Sequence, residues 1–200
     1  MRKVIIFAIG VLFTLCSYSQ EHIKFNGATF GLPLNEFVKG FPQKPSISTI
    51  SHPPKGYNSN LCNRNAYWVM LNSNSWECQI FSSRKTNTVF RTICVLDCTN
   101  DAEQQLMLLV KTLEEKYGGG VQEKQENLGE VGYLGRYHRE MLALYYYVKG
   151  RNNKRIGEIR ISVAPEDKNA KSGLIELSYT DYNSQNKATR EYNSLMHDAL

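Results

Sequence analysis

The stretch that most constrains the fold is residues 88–97, where apolar side chains stand on both parities: Val89, Ile93 and Val95 on one, Phe90, Cys94 and Leu96 on the other. Neighbouring side chains of a strand point to opposite faces, so a strand apolar on both must be covered above and below. Residues 88–97 are therefore expected to form a central strand. The run before it supplies neighbours at 66–72 and 76–82, separated by turns rich in Asn and Ser, whose side chains bond to nearby backbone. Trp76, Cys78 and Ile80 alternate onto one face of the middle strand.

This hairpin also narrows the cysteine chemistry. Folding 76–82 against 88–97 about Arg84-Lys85-Thr86-Asn87 brings Cys78 opposite Ile93 and Cys94. Cys62, Cys78, Cys94 and Cys98 follow the leader described next, and four cysteines allow three pairings. Register favours a bridge from Cys78 to Cys94 or to Cys98.

The leader is residues 1–19. Arg2 and Lys3 precede an apolar run from Val4 to Leu15 that is short for a membrane span, and Ser17 and Ser19 supply small residues for cleavage before Gln20. A lipid anchor on Cys16 is the weaker alternative, because Leu15 stands where that chemistry needs a small residue. The expected mature chain is 20–200, exported to the periplasm or cell surface, where disulfides persist. No later segment is apolar enough to span a membrane. With 42% hydrophobic and 22% charged residues, the length suits one domain. The formal charge of +5 falls to +3 without Arg2 and Lys3, too modest for a nucleic-acid partner.

The second half follows a similar plan. Asn100 and Asp101, with Glu103 or Gln104 in a capping box, open a helix whose stripe includes Ala102, Leu106, Leu109, Val110 and Leu113. Gly118-Gly119-Gly120 ends it. Strands follow near 135–149, 154–164 and 173–182. A closing helix starts at Asn183 or Ser184, with Ala188, Tyr192, Leu195, Met196 and Ala199 as the stripe that docks it. Ahead of the first strands lie a short extended segment, a brief helix opening at Pro33-Leu34-Asn35, and a proline-rich loop at 42–56. The expected fold is α+β, antiparallel sheet with helices packed on one face. Two α-βββ repeats, 20–98 and 99–200, plus a C-terminal helix are its candidate internal plan.

Ile23-Lys24-Phe25-Asn26-Gly27, leading to Phe37-Val38-Lys39-Gly40-Phe41, resembles the opening of small exported Bacteroidetes proteins of unassigned function. Leu113-Glu114-Glu115-Lys116-Tyr117-Gly118, the late Ile175-Glu176-Leu177-Ser178-Tyr179 and the acidic-Ala-Leu terminus match as well. The chain departs at 61–66, where Cys62-Asn63-Arg64-Asn65 replaces a glycine-aromatic-glycine pattern. The helix-then-strands order is similar to the β-lactamase-inhibitor-like fold, which implies an inhibitor of an envelope or foreign enzyme as a second functional expectation.

Catalytic signatures do not emerge. His22, His52, His138 and His197 are too far apart for a helical or hairpin metal pair, so neither metal nor cofactor is expected. His138 with Glu140 reads more simply as an exposed strand pair than as a base and its orienter. What remains is surface. Tyr133, Tyr137, Tyr145, Tyr146 and Tyr147 crowd one region, beside a basic group of Arg136, His138, Arg139, Lys149, Arg151, Lys154 and Arg155. Tyrosine and arginine together suit recognition. The chain is therefore expected to be a non-catalytic binding module for an envelope protein or glycan. Tyr137, Arg136, Arg139, Tyr145, Tyr147, Arg151 and Arg155 are its candidate contacts.

Overall fold

The computed structural model describes residues 21–46, 62–98, 100–125, 141–165 and 173–197. The leader with Cys16, most of the 42–56 loop, and Arg136, Tyr137, His138, Arg139 and Glu140 lie outside the described residues. Asn26 and Gly27, both at positive φ, turn the chain between β1 (Lys24–Phe25) and β2 (Ala28–Thr29). Asparagine and glycine tolerate that conformation where most residues are strained. The one-turn helix α1 (Leu34–Phe37) follows, as Pro33 foreshadows.

The remaining strands are β3 (Gln43–Pro45), β4 (Cys62–Leu71), β5 (Asn74–Ser83), β6 (Val89–Cys98), β7 (Val121–Gln125), β8 (Met141–Lys149), β9 (Arg155–Pro165) and β10 (Gly173–Asp181). They form one antiparallel sheet in the order β3-β4-β5-β6-β10-β9-β8-β7. Each half of the chain is a meander, and the two join along their last strands, β6 and β10. Residues 88–97 thus sit mid-sheet, as their two-sided apolar pattern requires. β4 begins earlier than 66, and β3 occupies the start of the proline-rich stretch.

The inner face holds the core. Trp76, Cys78, Ile80, Cys94, Ile161, Ile175 and Leu177 are buried there against Phe25, Phe30 and Phe37 of the N-terminal segment. The Phe25 ring meets Phe41 and Tyr179 edge-on at 5.4 and 5.2 Å, a geometry the aromatic quadrupole favours. Trp76 donates its indole N–H to the Leu71 carbonyl at 3.2 Å, so its burial strands no donor. Helix α2 (Ala102–Tyr117) packs on this face through Ala102, Leu109 and Leu113, and Gly118 at φ 82 ends it. The expected capping box is absent. The N-cap residue Asp101 makes no side-chain bond to the helix's first amides; its carboxylate instead accepts the Gln105 side-chain amide at 3.1 Å.

Helix α3 (Tyr182–His197) crosses to the opposite, outer face, where Ala188 clusters with Phe81, Phe90, Ile93 and Cys62. Helices therefore gather on one face only for α1 and α2. The predicted docking stripe holds at Ala188, but Leu195 and Met196 are 40% and 49% exposed. The sheet contact ends before them. Glu191 ties the helix to the β5–β6 turn, accepting the Thr86 hydroxyl at 2.6 Å and its backbone N–H at 3.3 Å. Partial burial would raise this carboxyl, but the Thr86 and Ser83 bonds and Lys187 hold it below the usual carboxylate range.

Cys78 and Cys94 are directly opposed across β5 and β6 and form a disulfide with a Cα–Cα distance of 4.0 Å. Cys98, the other candidate partner, is corrected: it lies four residues further along β6, opposite Gly173 of β10, and is not bonded to Cys78. Cys62 is buried on the outer face, so the sheet separates it from Cys98. Tyr146 on β8 also faces inward, so close to Gly120 that a Cβ there would stand 2.9 Å from its ring. Its hydroxyl is buried and has no hydrogen-bond partner among the described residues. Tyr146→Phe is therefore expected to leave stability unchanged or raise it by up to about 1 kcal/mol, since an unmet buried hydroxyl favours unfolding. Thermal unfolding checks this, and a clear loss of stability would show that the hydroxyl has a partner.

Candidate functional site

Alternation along β8 and β9 builds the site. Tyr145 and Tyr147 share the outer face of β8, opposite Arg160 and Glu158 of β9, while Tyr146 between them belongs to the core. Of the five tyrosines of the sequence crowd, the three on β8 therefore divide by parity, and Tyr133 and Tyr137 lie outside the described residues. The Tyr145 and Tyr147 rings stack with centroids 6.5 Å apart, and the Arg155 guanidinium lies 3.8 Å above the Tyr147 ring. A cation over a ring face is attracted by its quadrupole, by about 0.5–1 kcal/mol when exposed. Three of the seven expected contacts, Tyr145, Tyr147 and Arg155, thus come together. Arg151 opens the turn Arg151–Asn153, where Asn152 and Asn153 take positive φ. Arg136, Tyr137 and Arg139 lie outside the described residues.

A charged network borders these tyrosines. Arg160 donates to Glu176 on β10, and the Tyr182 hydroxyl at the start of α3 donates to Glu158 at 2.7 Å. Burial, then the bond to Glu158, drives the Tyr182 phenol far above its ordinary range. Arg91 of β6, opposite Thr180, completes the group. Burial lowers its ionisation, and Glu176 and Glu158 partly offset that. Neither Arg91 nor Glu158 and Glu176 figured as site candidates in the sequence reading, because each is one polar residue within a strand read as sheet.

A serine, a histidine and an aspartate also meet, at the β10–α3 junction. The buried Asp181 carboxylate accepts the Ser184 hydroxyl at 2.7 Å and its backbone N–H at 2.8 Å, while its other oxygen accepts the Ile23 N–H at 3.0 Å. His22 presents the same nitrogen, Nδ1, to Asp181 at 3.0 Å and to Ser184 at 3.3 Å. A catalytic relay needs the imidazole to bridge acid and nucleophile through its two nitrogens. Here Ser184 gives its proton to the acid directly, and the cluster is a helix N-cap extended to the N-terminal segment.

A recess of about 510 Å³ lies elsewhere, between the start of β4 and the β5–β6 turn, with Asn63, Arg64, Arg84 and Asn87 in its lining. Its Asn87 is engaged in the turn, accepting the Ser82 hydroxyl at 2.6 Å, so we place the site at the tyrosine cluster. Among the described residues no His, Cys, Asp and Glu group is arranged to hold a metal, and no helix is long and apolar enough to cross a membrane. No protein-family model, curated protein or solved structure matches the chain.

Several groups of this fold keep their protons unusually well. Burial, reinforced by Asp101 and Asp97, pushes the Cys98 thiol up to about 11, and burial raises Tyr67, Tyr146 and Tyr179 alongside Tyr182. Unfolded cysteine and tyrosine ionise near about 8.5 and about 10. Between those values and the folded ones the unfolded chain binds fewer protons, so stability falls as pH rises. These groups leave stability level from neutral pH to about pH 8.5 and make it decline through pH 9–11. Urea midpoints at pH 8, 9.5 and 10.5 test this; a midpoint that holds or rises at pH 10.5 contradicts it.

Proposed function

We propose that the chain is a non-catalytic exported binding module of the cell envelope, whose outer sheet face at Tyr145, Tyr147 and Arg155 contacts a protein partner. The observation that carries this reading is the stacked tyrosine pair with Arg155 over Tyr147. Both tyrosines are half-buried and Arg155 is exposed, so the group combines a held geometry with access from solvent. Side chains already held in one arrangement lose little freedom when a partner docks, and tyrosine and arginine dominate contact energies at interfaces. Inhibition of an envelope or foreign enzyme is the second reading. What supports it is the helix-then-strands order of each half, α1 ahead of β3–β6 and α2 ahead of β7–β10, and fold alone does not fix function.

The test is a crosslinking pull-down from native envelope extract at low and high salt, using the wild-type chain and a Tyr147→Ala/Arg155→Ala variant. A stoichiometric partner held by the wild type, weakened by salt and lost by the variant is the expected result. Equal retention by both proteins would remove this face from the function. Retention of a glycan in place of a protein would change the ligand class.

A further inference from the structure

Arg91 feels the charges of Glu176 and Glu158 but makes no hydrogen bond to either among the described residues. It projects from the centre of the outer face, between Phe81 of β5 and Thr180 of β10. Its Nε is sealed from solvent without a hydrogen-bond partner. The two nearby carboxylates are committed elsewhere, Glu158 to the Tyr182 hydroxyl and Glu176 to Arg160. Arg91 itself makes no ion pair among the described residues. Arg91 is only partly buried, and its Nη groups, neither bonded nor sealed, reach the surface. The sealed Nε is out of a ligand's reach, but the two Nη groups can donate end-on to one carboxylate, and charge-assisted bonds of that kind are the strong ones.

We propose that Arg91 is a carboxylate receptor, taking one acidic side chain from the protein partner that docks beside Tyr145 and Tyr147; this rests on the binding-module reading above. The surroundings choose the ligand. Arg91, Arg155 and Arg160 against Glu158 and Glu176 leave one unmatched positive charge, which suits a single carboxylate, while the two glutamates repel a doubly charged phosphate. Arg155 occupies a face of the Tyr147 ring, and Tyr145 stacks on that ring too, so Tyr147 offers a sugar little open face to stack on. Phenol edges and hydroxyls remain, and these suit a peptide.

The experiment follows the Arg91 Nε–Hε signal in the ¹⁵N-labelled chain, assigned by its absence in Arg91→Lys. Blocked triglutamate peptide, trigalacturonate and inorganic phosphate are titrated separately at fixed ionic strength. The expected result is a saturable shift at the lowest concentration with the peptide, and at least tenfold weaker peptide binding by Arg91→Lys, because an ammonium cannot form the two parallel bonds of a guanidinium. A linear drift common to all three probes overturns the proposal, as does Arg91→Lys binding within twofold of wild type. Tighter saturation by trigalacturonate or phosphate overturns the peptide assignment. If the lysine variant fails to fold, Arg91→Met serves for assignment and the wild-type titration decides. An unmoved signal alongside an envelope partner lost by the Tyr147→Ala/Arg155→Ala variant sinks the carboxylate receptor and leaves the binding module standing.

Discussion

Gly157→Ala is expected to destabilise the protein by about 3 kcal/mol, at the upper end of what one added methyl group costs in a packed interior. Its Cβ would stand 2.6 Å from the Thr180 carbonyl oxygen and 2.8 Å from the Ile23 side chain. Ile23 could yield by changing rotamer. The Thr180 oxygen belongs to the backbone of β10, which is paired on both sides with β9 and β6 and cannot retreat without disturbing two strand ladders. The glycine is needed for space, since its φ lies outside the left-handed region. Gly119→Ala is the natural control, because its Cβ would meet nothing within 4 Å. Urea unfolding should show a lower midpoint at unchanged slope for Gly157→Ala and a near-native midpoint for Gly119→Ala. Equal midpoints would mean that the two strands part readily at this point.

The second large effect is expected at Asp181. Its alanine variant loses the Ser184 cap, worth about 1 kcal/mol, strands the buried Ile23 N–H and leaves the Ser184 hydroxyl only the longer His22 contact, at about 1 kcal/mol each. The sum is about 3 kcal/mol, or a fall in Tm of about 6–12 °C for a chain of this size. Because one carboxylate serves both ends of the chain, hydrogen exchange should quicken together at Ile23 and in the first turn of α3. Faster exchange in α3 alone would show that the N-terminal segment is anchored without Asp181. Asp181→Asn keeps the shape but has one oxygen in place of two, and should fall between wild type and alanine.

The periodic parts of this fold were legible. Alternation at Trp76, Cys78 and Ile80 fixed the buried face, because a strand turned by one residue would expose those side chains to water, and the hairpin turn put Cys78 near Ile93 and Cys94 while leaving Cys94 and Cys98 both open as partners. The helix at 102–117 was equally plain from its stripe and its glycines. β7 was not, since Val121-Gln122-Glu123-Lys124-Gln125 is an edge strand held by backbone bonds to β8 and carries no apolar signature. The direction of α3 was also hidden. Its pattern promised a full docking stripe, but only its first turns meet the sheet, and neither helical face says which side of the sheet is vacant. At the candidate site the tyrosines were visible and their parity readable, yet Arg91 passed as one polar residue in a core strand. Asp181 stood as a strand end beside a serine; its partners His22 and Ile23 lie at the other end of the chain.

The seam between β6 and β10 joins residues 75 to 89 positions apart in sequence, from Cys98 with Gly173 to Arg91 with Thr180. A chain made from its N-terminus can close the β4–β5–β6 meander early, but the free edge of its most apolar strand stays bare until residues 173–181 arrive. Long-range pairing of this kind is slow, and a bare apolar edge in the meantime is a template for association with other chains. Kinetic competition between closing the seam and aggregating is therefore built into the order of the strands, and truncation within the last quarter of the chain would leave a species that has a hairpin core and no way to cover it.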